Sequence, residues 1–153
     1  MGFNTNYFSK TDIPPLKASC VRRIRFEELD PLGIVWHGRY TSYLEDGRVA
    51  FGDKYGLSYK NFKKNRVMAP VVQLHIDYRA PLRFDEHIKI EAILHWTEAV
   101  RLNFSYSISK QDGTIAATGY TVQLLTDLHG NLLLTPPDFV QKFRQKWLEG
   151  SLG

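Results

Sequence analysis

The chain has 153 residues, of which 43% are hydrophobic and 24% are charged. This length suits one domain with a sizeable core, and the composition excludes an intrinsically disordered protein. The net charge of +4 at pH 7 is mildly basic and fits an anionic small molecule as well as a nucleic acid. The single cysteine, Cys20, cannot form an intrachain disulfide, which favours a reducing compartment. Since neither a signal peptide nor an apolar run of membrane-spanning length is recognisable, we expect a cytoplasmic protein without membrane contact.

The first part of the chain predicts a strand, a loop and one long helix. Residues 1–17 are polar and rich in turn formers, which predicts an irregular lead-in to a single domain at 18–153. A first strand is expected at about 18–28, followed by a loop around Asp30. Apolar and small residues then recur at helical spacing, which predicts a helix at about 38–55.

The second part of the chain changes to a hydrophobic period of two after a connector at 58–66. This alternation predicts half-buried strands with one apolar face each, and a short amphipathic helix closes the chain. The predicted strands are 72–78, 88–96, 102–109 and 114–126, and the predicted C-terminal helix is 138–148. One long helix can cover one face of a five-stranded antiparallel sheet, so the predicted fold class is a two-layer α+β domain.

The most informative segment runs from residue 26 to residue 48. It places a carboxylate, Asp30, in a turn-forming D-P-L-G sequence, and an imidazole, His37, seven residues later where the long helix begins. The first N–H groups of a helix have no partners within it, and the helix dipole is positive at that end. A carboxylate beside such a helix end fits the hydrolysis of an activated acyl group.

This segment resembles the motif of hotdog-fold thioesterases of the 4-hydroxybenzoyl-CoA thioesterase type, which include the YbgC-like acyl-CoA hydrolases. The matching letters are Asp30, Gly33, Val35, His37, Tyr40, Tyr43, Glu45 and Arg48, and a second family segment matches at Ile76, Tyr78, Pro81 and Asp85. The main departure is Glu28, which stands where the family commonly has the first of two aspartates.

The resemblance implies the hotdog fold, in which a five-stranded antiparallel sheet wraps around one long helix, with the short C-terminal helix added here. It implies an acyl-CoA thioester hydrolase, with coenzyme A as part of the substrate and no separate cofactor. It also implies a homodimer or homotetramer with the active site between subunits.

Within this family frame, Asp30 and His37 are the predicted catalytic residues. Asp30 is expected to activate a water or to attack the thioester carbonyl itself. By family analogy, the backbone N–H of His37 is expected to polarise the carbonyl oxygen. The predicted substrate contacts are Gly33, Val35, Trp36 and Tyr40.

Plainer interpretations stay open for several of these residues. An Asp before Pro is commonly a turn residue, and a His near a helix start commonly faces solvent. Tyr40 lies on the apolar stripe of the helix and suits the core or a pocket wall. Glu45 and Arg48 are three residues apart, which predicts a structural ion pair. Four basic side chains between residues 60 and 66 belong to a solvated loop or attract coenzyme A phosphates.

Other functions also remain as hypotheses. A hotdog protein that binds acyl thioesters without cleaving them is the main alternative, whereas a hotdog dehydratase places its His and acid differently. Nucleic-acid binding is disfavoured because basic residues are scattered among acidic ones. No metal site is expected, since the histidines lack metal-ligand spacing. The acyl group stays open between aryl and medium-chain groups.

Overall fold

A computed structural model describes residues 7–152 of the chain. Its strands and helices, in chain order, are β1 (Leu16–Arg23), α1 (Tyr40–Tyr55), α2 (Tyr59–Lys64), β2 (Val71–Tyr78), β3 (His87–His95), β4 (Arg101–Lys110), β5 (Ile115–Leu124) and α3 (Asp138–Leu148). Two single 3₁₀ turns, Phe26–Glu28 and His37–Arg39, lie between β1 and α1.

The five strands form one antiparallel sheet in the order β1-β3-β4-β5-β2. Side chains alternate between buried and more exposed positions along β3, as period-two patterning predicts. The long helix α1 packs across β1 and β3. The predicted two-layer arrangement of one long helix on a five-stranded antiparallel sheet is therefore confirmed.

Two glycines allow α1 to approach its surroundings closely. A Cβ added at Gly47 would lie 2.9 Å from Cγ2 of Ile90, and one added at Gly52 would lie 2.6 Å from the carbonyl oxygen of Leu57. Both distances are shorter than ordinary contacts, so a larger side chain would push the helix away from β3 or from the segment that follows it.

Several predicted boundaries were wrong, for identifiable local reasons. The first strand ends at Arg23 rather than near residue 28, because the chain turns at Phe26–Glu28 and the N–H of Arg25 donates to the Glu28 carboxylate at 3.0 Å. The helix α1 begins at Tyr40, after a 3₁₀ turn. The short helix α2 was missed, although Ser58 accepts a hydrogen bond from the N–H of Asn61 at 3.3 Å as an N-cap.

The two edges of the sheet differ. On β1, the carbonyl of Lys17 accepts hydrogen bonds from Lys54 and Tyr55 of α1, each at 3.0 Å. The prediction that β2 is half-buried is wrong for a single chain. Most of its apolar side chains are exposed, and Leu74 retains 47% of its accessible surface. The alternation of apolar and polar residues predicted the apolar face of β2, but it could not predict which part of the structure covers that face.

The lead-in covers part of the outer face of the sheet. From Tyr7 onward, the described part of the lead-in contains no helix or strand before β1, and residues 1–6 lie outside the described range. The ring of Tyr7 stacks on Tyr120 at 3.8 Å, and the indole N–H of Trp147 donates to the carbonyl of Pro14 at 2.9 Å. Among the described residues, no helix is long and apolar enough to cross a membrane.

Candidate active site

The predicted catalytic loop is a small hairpin. The N–H of Asp30 donates to the carbonyl of Ile34 at 2.8 Å, and the N–H of Gly33 donates to the carbonyl of Asp30 at 3.0 Å. Gly33 adopts a positive φ of 80°, which a three-residue hairpin loop requires at this position. The N–H of Trp36 donates to the carbonyl of Glu28 at 3.0 Å and extends the ladder. The D-P-L-G sequence thus folds the chain back so that Val35 and Trp36 pair with Leu29 and Glu28, the residues just before Asp30.

The Asp30 side chain is partly engaged by its own turn. Its Oδ1 accepts a hydrogen bond from the N–H of Leu32 at 2.8 Å, and the residue is half-buried. Within residues 7–152, no protein donor is recorded for Oδ2. One carboxylate oxygen therefore fixes the orientation of the group and leaves the other for a water or an acyl group.

Two backbone N–H groups lie at the start of the helical segment. The first hydrogen bond of the 3₁₀ turn runs from the N–H of Arg39 to the carbonyl of Trp36 at 2.9 Å. The N–H groups of His37 and Gly38 precede it and have no acceptor within the turn. Strand geometry along the hairpin places the Cα of His37 within about 12 Å of the Cα of Asp30. The carboxylate and the two amides therefore belong to one hairpin and to the helix start that follows it.

The Trp36 indole ring packs against the backbone of Gly38, one of the two residues whose N–H groups begin the helical segment. A Cβ added at Gly38 would lie 2.4 Å from two carbon atoms of the indole ring, so the ring lies against the Gly38 backbone. The imidazole of His37 is exposed, and its centroid lies 5.2 Å from that of the indole. Gly38 was not among the predicted site residues; the lack of a side chain next to a tryptophan and a histidine was the available signal.

Two tyrosines support the helix start from behind. The hydroxyl of Tyr78 donates to the carbonyl of His37 at 3.0 Å, and its ring packs edge-on against Tyr40 with 4.8 Å between centroids. Burial, with a smaller contribution from Tyr78, raises the pKa of Tyr40 to about 12. Tyr40 therefore stays neutral at physiological pH and cannot act as a base there. The sequence analysis identified Tyr78 as part of the second family segment, but it did not predict the contact of Tyr78 with His37.

Glu28 lies beneath the hairpin in a buried polar network. Only 1% of its surface is exposed, and its carboxylate accepts hydrogen bonds from the Tyr43 hydroxyl at 2.5 Å and the Arg25 N–H at 3.0 Å. Arg22 approaches the same carboxylate at 3.2 Å and also binds Asp46 at 2.7 Å. Burial alone would raise the pKa of Glu28, but these donors outweigh it and lower the pKa. Glu28 is therefore a charged support for the hairpin that carries Asp30.

An apolar cavity of about 780 Å³ lies further along α1. It is bounded by the second half of α1, by α2, by the start of β4 and by the end of β5. The predicted ion pair between Glu45 and Arg48 is confirmed and lies beside this cavity, where Tyr59 also bonds to Glu45. The exposed side chains of Lys60 and Lys63 border its opening.

The structure brings Asp30, Gly33, Trp36 and His37 to one hairpin and the start of α1. Val35 and Tyr40 are buried in the core at 3% exposure each, so their substrate contact stays a prediction. In residues 7–152, no group of three or more His, Cys, Asp or Glu side chains is placed to hold a metal ion.

The sequence profile of the thioesterase-like superfamily matches residues 24–143, which is most of the chain. The chain belongs to this superfamily. The acyl-CoA thioester hydrolase YbgC of Escherichia coli is 23% identical over 124 residues, covering 80% of this chain and 92% of that protein.

Two solved structures share the fold of this thioesterase-like protein. The hypothetical protein TT1821 from Thermus thermophilus has a TM-score of 0.75 and 30% identity, covering 82% of this chain and 95% of that one. The DHNA-CoA thioesterase from Staphylococcus aureus has a TM-score of 0.75 and 23% identity, covering 88% and 95%. The predicted hotdog fold and family are therefore confirmed.

Proposed function

We propose that this protein is an acyl-CoA thioesterase in which Asp30 attacks the thioester carbonyl or activates a water for the attack. One observation carries the proposal. A half-buried carboxylate, oriented by the N–H of Leu32, shares a hairpin with the N–H groups of His37 and Gly38 that begin the helical segment. The name of the YbgC relative supports the same reaction class.

The proposed reaction consumes one thioester and one water and yields a carboxylic acid and coenzyme A. The thioester oxygen gains negative charge as the carbonyl is attacked, and the N–H groups of His37 and Gly38 stabilise that charge. The carbon–sulfur bond then breaks and coenzyme A leaves as a thiolate. If Asp30 is the base, it takes one proton from the attacking water. If Asp30 is the nucleophile, a mixed anhydride forms and a second step with water restores the carboxylate.

The hydrogen bond between Asp30 and Leu32 is also what an ordinary turn aspartate makes, which is why acyl-thioester binding without cleavage remains the second candidate. Release of free thiol from a panel of acyl-CoA substrates separates the two. Multiple turnovers support the enzyme, whereas tight binding of every acyl-CoA with no thiol release would establish the binding protein.

The carrier of the acyl group gives the first prediction. We expect kcat/KM for an acyl-CoA to exceed that for the same acyl group on a short uncharged thiol by about tenfold or more, because basic side chains such as Lys60 and Lys63 attract the coenzyme A phosphates. Salt screens exposed charges over about 10 Å at 0.1 M, so the KM for acyl-CoA should rise with ionic strength. Equal kcat/KM for the two substrates would point to another carrier.

The assembly proposed for this enzyme is a homodimer or a dimer of dimers formed through β2. This strand is a free edge with exposed apolar side chains, whereas α1 side chains protect the β1 edge. Exposed apolar edges are sites of association. Pairing of two β2 edges about a two-fold axis would join the two five-stranded sheets into one continuous sheet.

The second prediction tests this assembly. We expect light scattering to give a mass of at least twice the 17.7 kDa of one chain, and Leu74→Lys to shift the protein towards the monomer because it places a charge on the apolar face of β2. Val21→Lys is the matched control, because Val21 is exposed on the opposite edge strand. A monomeric wild type, or equal masses for the two variants, would contradict association through β2.

A further inference from the structure

Tyr78 connects the end of β2 to the start of the helical segment. Its hydroxyl donates to the carbonyl oxygen of His37 at 3.0 Å, although the two residues are 41 positions apart in the sequence. The N–H of Tyr40 donates to the same oxygen. A carbonyl oxygen has two lone pairs, so the protein itself occupies both acceptor positions of the His37 carbonyl.

The His37 carbonyl and the Gly38 N–H belong to one peptide group. Among the described residues no peptide bond is cis, so this group is trans and planar, and its carbonyl and its N–H point in opposite directions. A donor that fixes the carbonyl on one side therefore fixes the direction of the N–H on the other side. Because linked hydrogen bonds polarise one another, two donors at the carbonyl also make this N–H a stronger donor.

The Tyr78 ring is held in place by the sheet and the core. The residue pairs with Ala117 of β5, and its ring packs edge-on against Tyr40, which is 3% exposed, with 4.8 Å between centroids. Partial burial raises the pKa of Tyr78, so the hydroxyl keeps its proton and remains a donor at neutral pH. The hydroxyl is thus a preorganised donor rather than one recruited when a substrate binds.

We propose that Tyr78 is a positioning residue of the thioesterase reaction, which orients and polarises the Gly38 N–H towards the thioester oxygen. The inference rests on the proposed function. The hydroxyl lies on the carbonyl side of the peptide group and therefore acts through that group. The thioester oxygen carries more negative charge in the transition state than in the bound substrate. A more polarised N–H therefore lowers the barrier more than it strengthens substrate binding.

The kinetic test is Tyr78→Phe, which removes the hydroxyl and keeps the ring. Its kcat should fall by about three- to tenfold, which is the contribution of one hydrogen bond, whereas KM should change by less than about twofold. Tyr55→Phe is the matched control, because the Tyr55 hydroxyl also donates to a backbone carbonyl, that of Lys17, at 3.0 Å. Tyr55→Phe should lower the melting temperature by a similar amount and leave kcat unchanged. An unchanged kcat in Tyr78→Phe overturns the inference.

A measurement without substrate tests the peptide group directly. The sequence contains two His–Gly pairs, His37–Gly38 and His129–Gly130. Protein labelled with ¹³C at the histidine carbonyl carbons and with ¹⁵N at glycine therefore gives two carbonyl-linked amide signals by NMR. His129→Gln removes one pair and assigns both signals. Tyr78→Phe should move the amide proton of Gly38 upfield and leave that of Gly130 in place.

The two measurements distinguish failure of the inference from failure of the proposed function. No thiol release by the wild type would overturn the proposed function, and with it the role of Tyr78 in turnover. Thiol release by the wild type, together with a Gly38 signal that does not move in Tyr78→Phe, would overturn the role of Tyr78 alone. A moved Gly38 signal together with the lowered kcat and the nearly constant KM supports the inference.

Discussion

Asp30→Asn is expected to lower kcat by about two to four decades, which is the usual contribution of a positioned base or nucleophile. Asparagine keeps the size of the side chain, and its oxygen can accept the Leu32 N–H that Oδ1 accepts at 2.8 Å. The hairpin should therefore persist while the negative charge is lost. The measurement is steady-state thiol release together with thermal unfolding, and the melting temperature should change little.

The β4–β5 turn offers a matched control. Asp112 accepts the N–H of Thr114 at 2.9 Å, also two residues along the chain, but it lies outside the hairpin that carries Asp30. Asp112→Asn should leave kcat unchanged. His37→Ala should reduce kcat less than Asp30→Asn, because alanine retains the backbone N–H that is proposed to polarise the carbonyl. Near-wild-type turnover in Asp30→Asn would place the chemistry elsewhere.

The fold was predictable to the extent that hydrophobic periodicity reports it. The period of two identified β3 and β4 to within a residue or so, and the helical period identified α3 as Asp138–Leu148. The short α2 was obscured by its many lysines and its length of six residues. Periodicity also cannot distinguish an apolar face that its own chain covers from one left open, which is why the exposure of β2 required the three-dimensional arrangement.

The candidate site, like the fold, was predictable from the sequence only where the signals are local. Asp30 and His37 could be placed together because a turn sequence and a helix start are local signals. The contacts of Tyr78 with His37 and of Glu28 with Tyr43 join residues 41 and 15 positions apart, and no local pattern specifies them. Glu28 was interpreted as a departure from a family aspartate, whereas the structure shows which donors its longer side chain meets.

The second large effect is expected at Glu28, where substitution should destabilise the fold. Glu28→Gln removes the charge that binds Arg22 and the Tyr43 hydroxyl in a site with 1% exposure. Charged hydrogen bonds of this kind contribute about 2 kcal/mol, so we expect a loss of about that size in the free energy of unfolding at pH 7. Glu27→Gln is the control, because Glu27 lies on the same turn, is 68% exposed and contacts Arg25 only at 3.7 Å.

The pH dependence of that loss distinguishes the charge from simple packing. The pKa of Glu28 is lower in the folded protein than in the unfolded chain, where the pKa of a glutamate is about 4.3. Its ionised form therefore stabilises the fold fully above the unfolded pKa, and this stabilisation is lost as the pH falls through the folded pKa. Urea unfolding at a series of pH values should show the gap between wild type and Glu28→Gln narrowing below about pH 4. A gap that is the same at pH 7 and at pH 3 would mean that the charge of Glu28 is not what stabilises the fold.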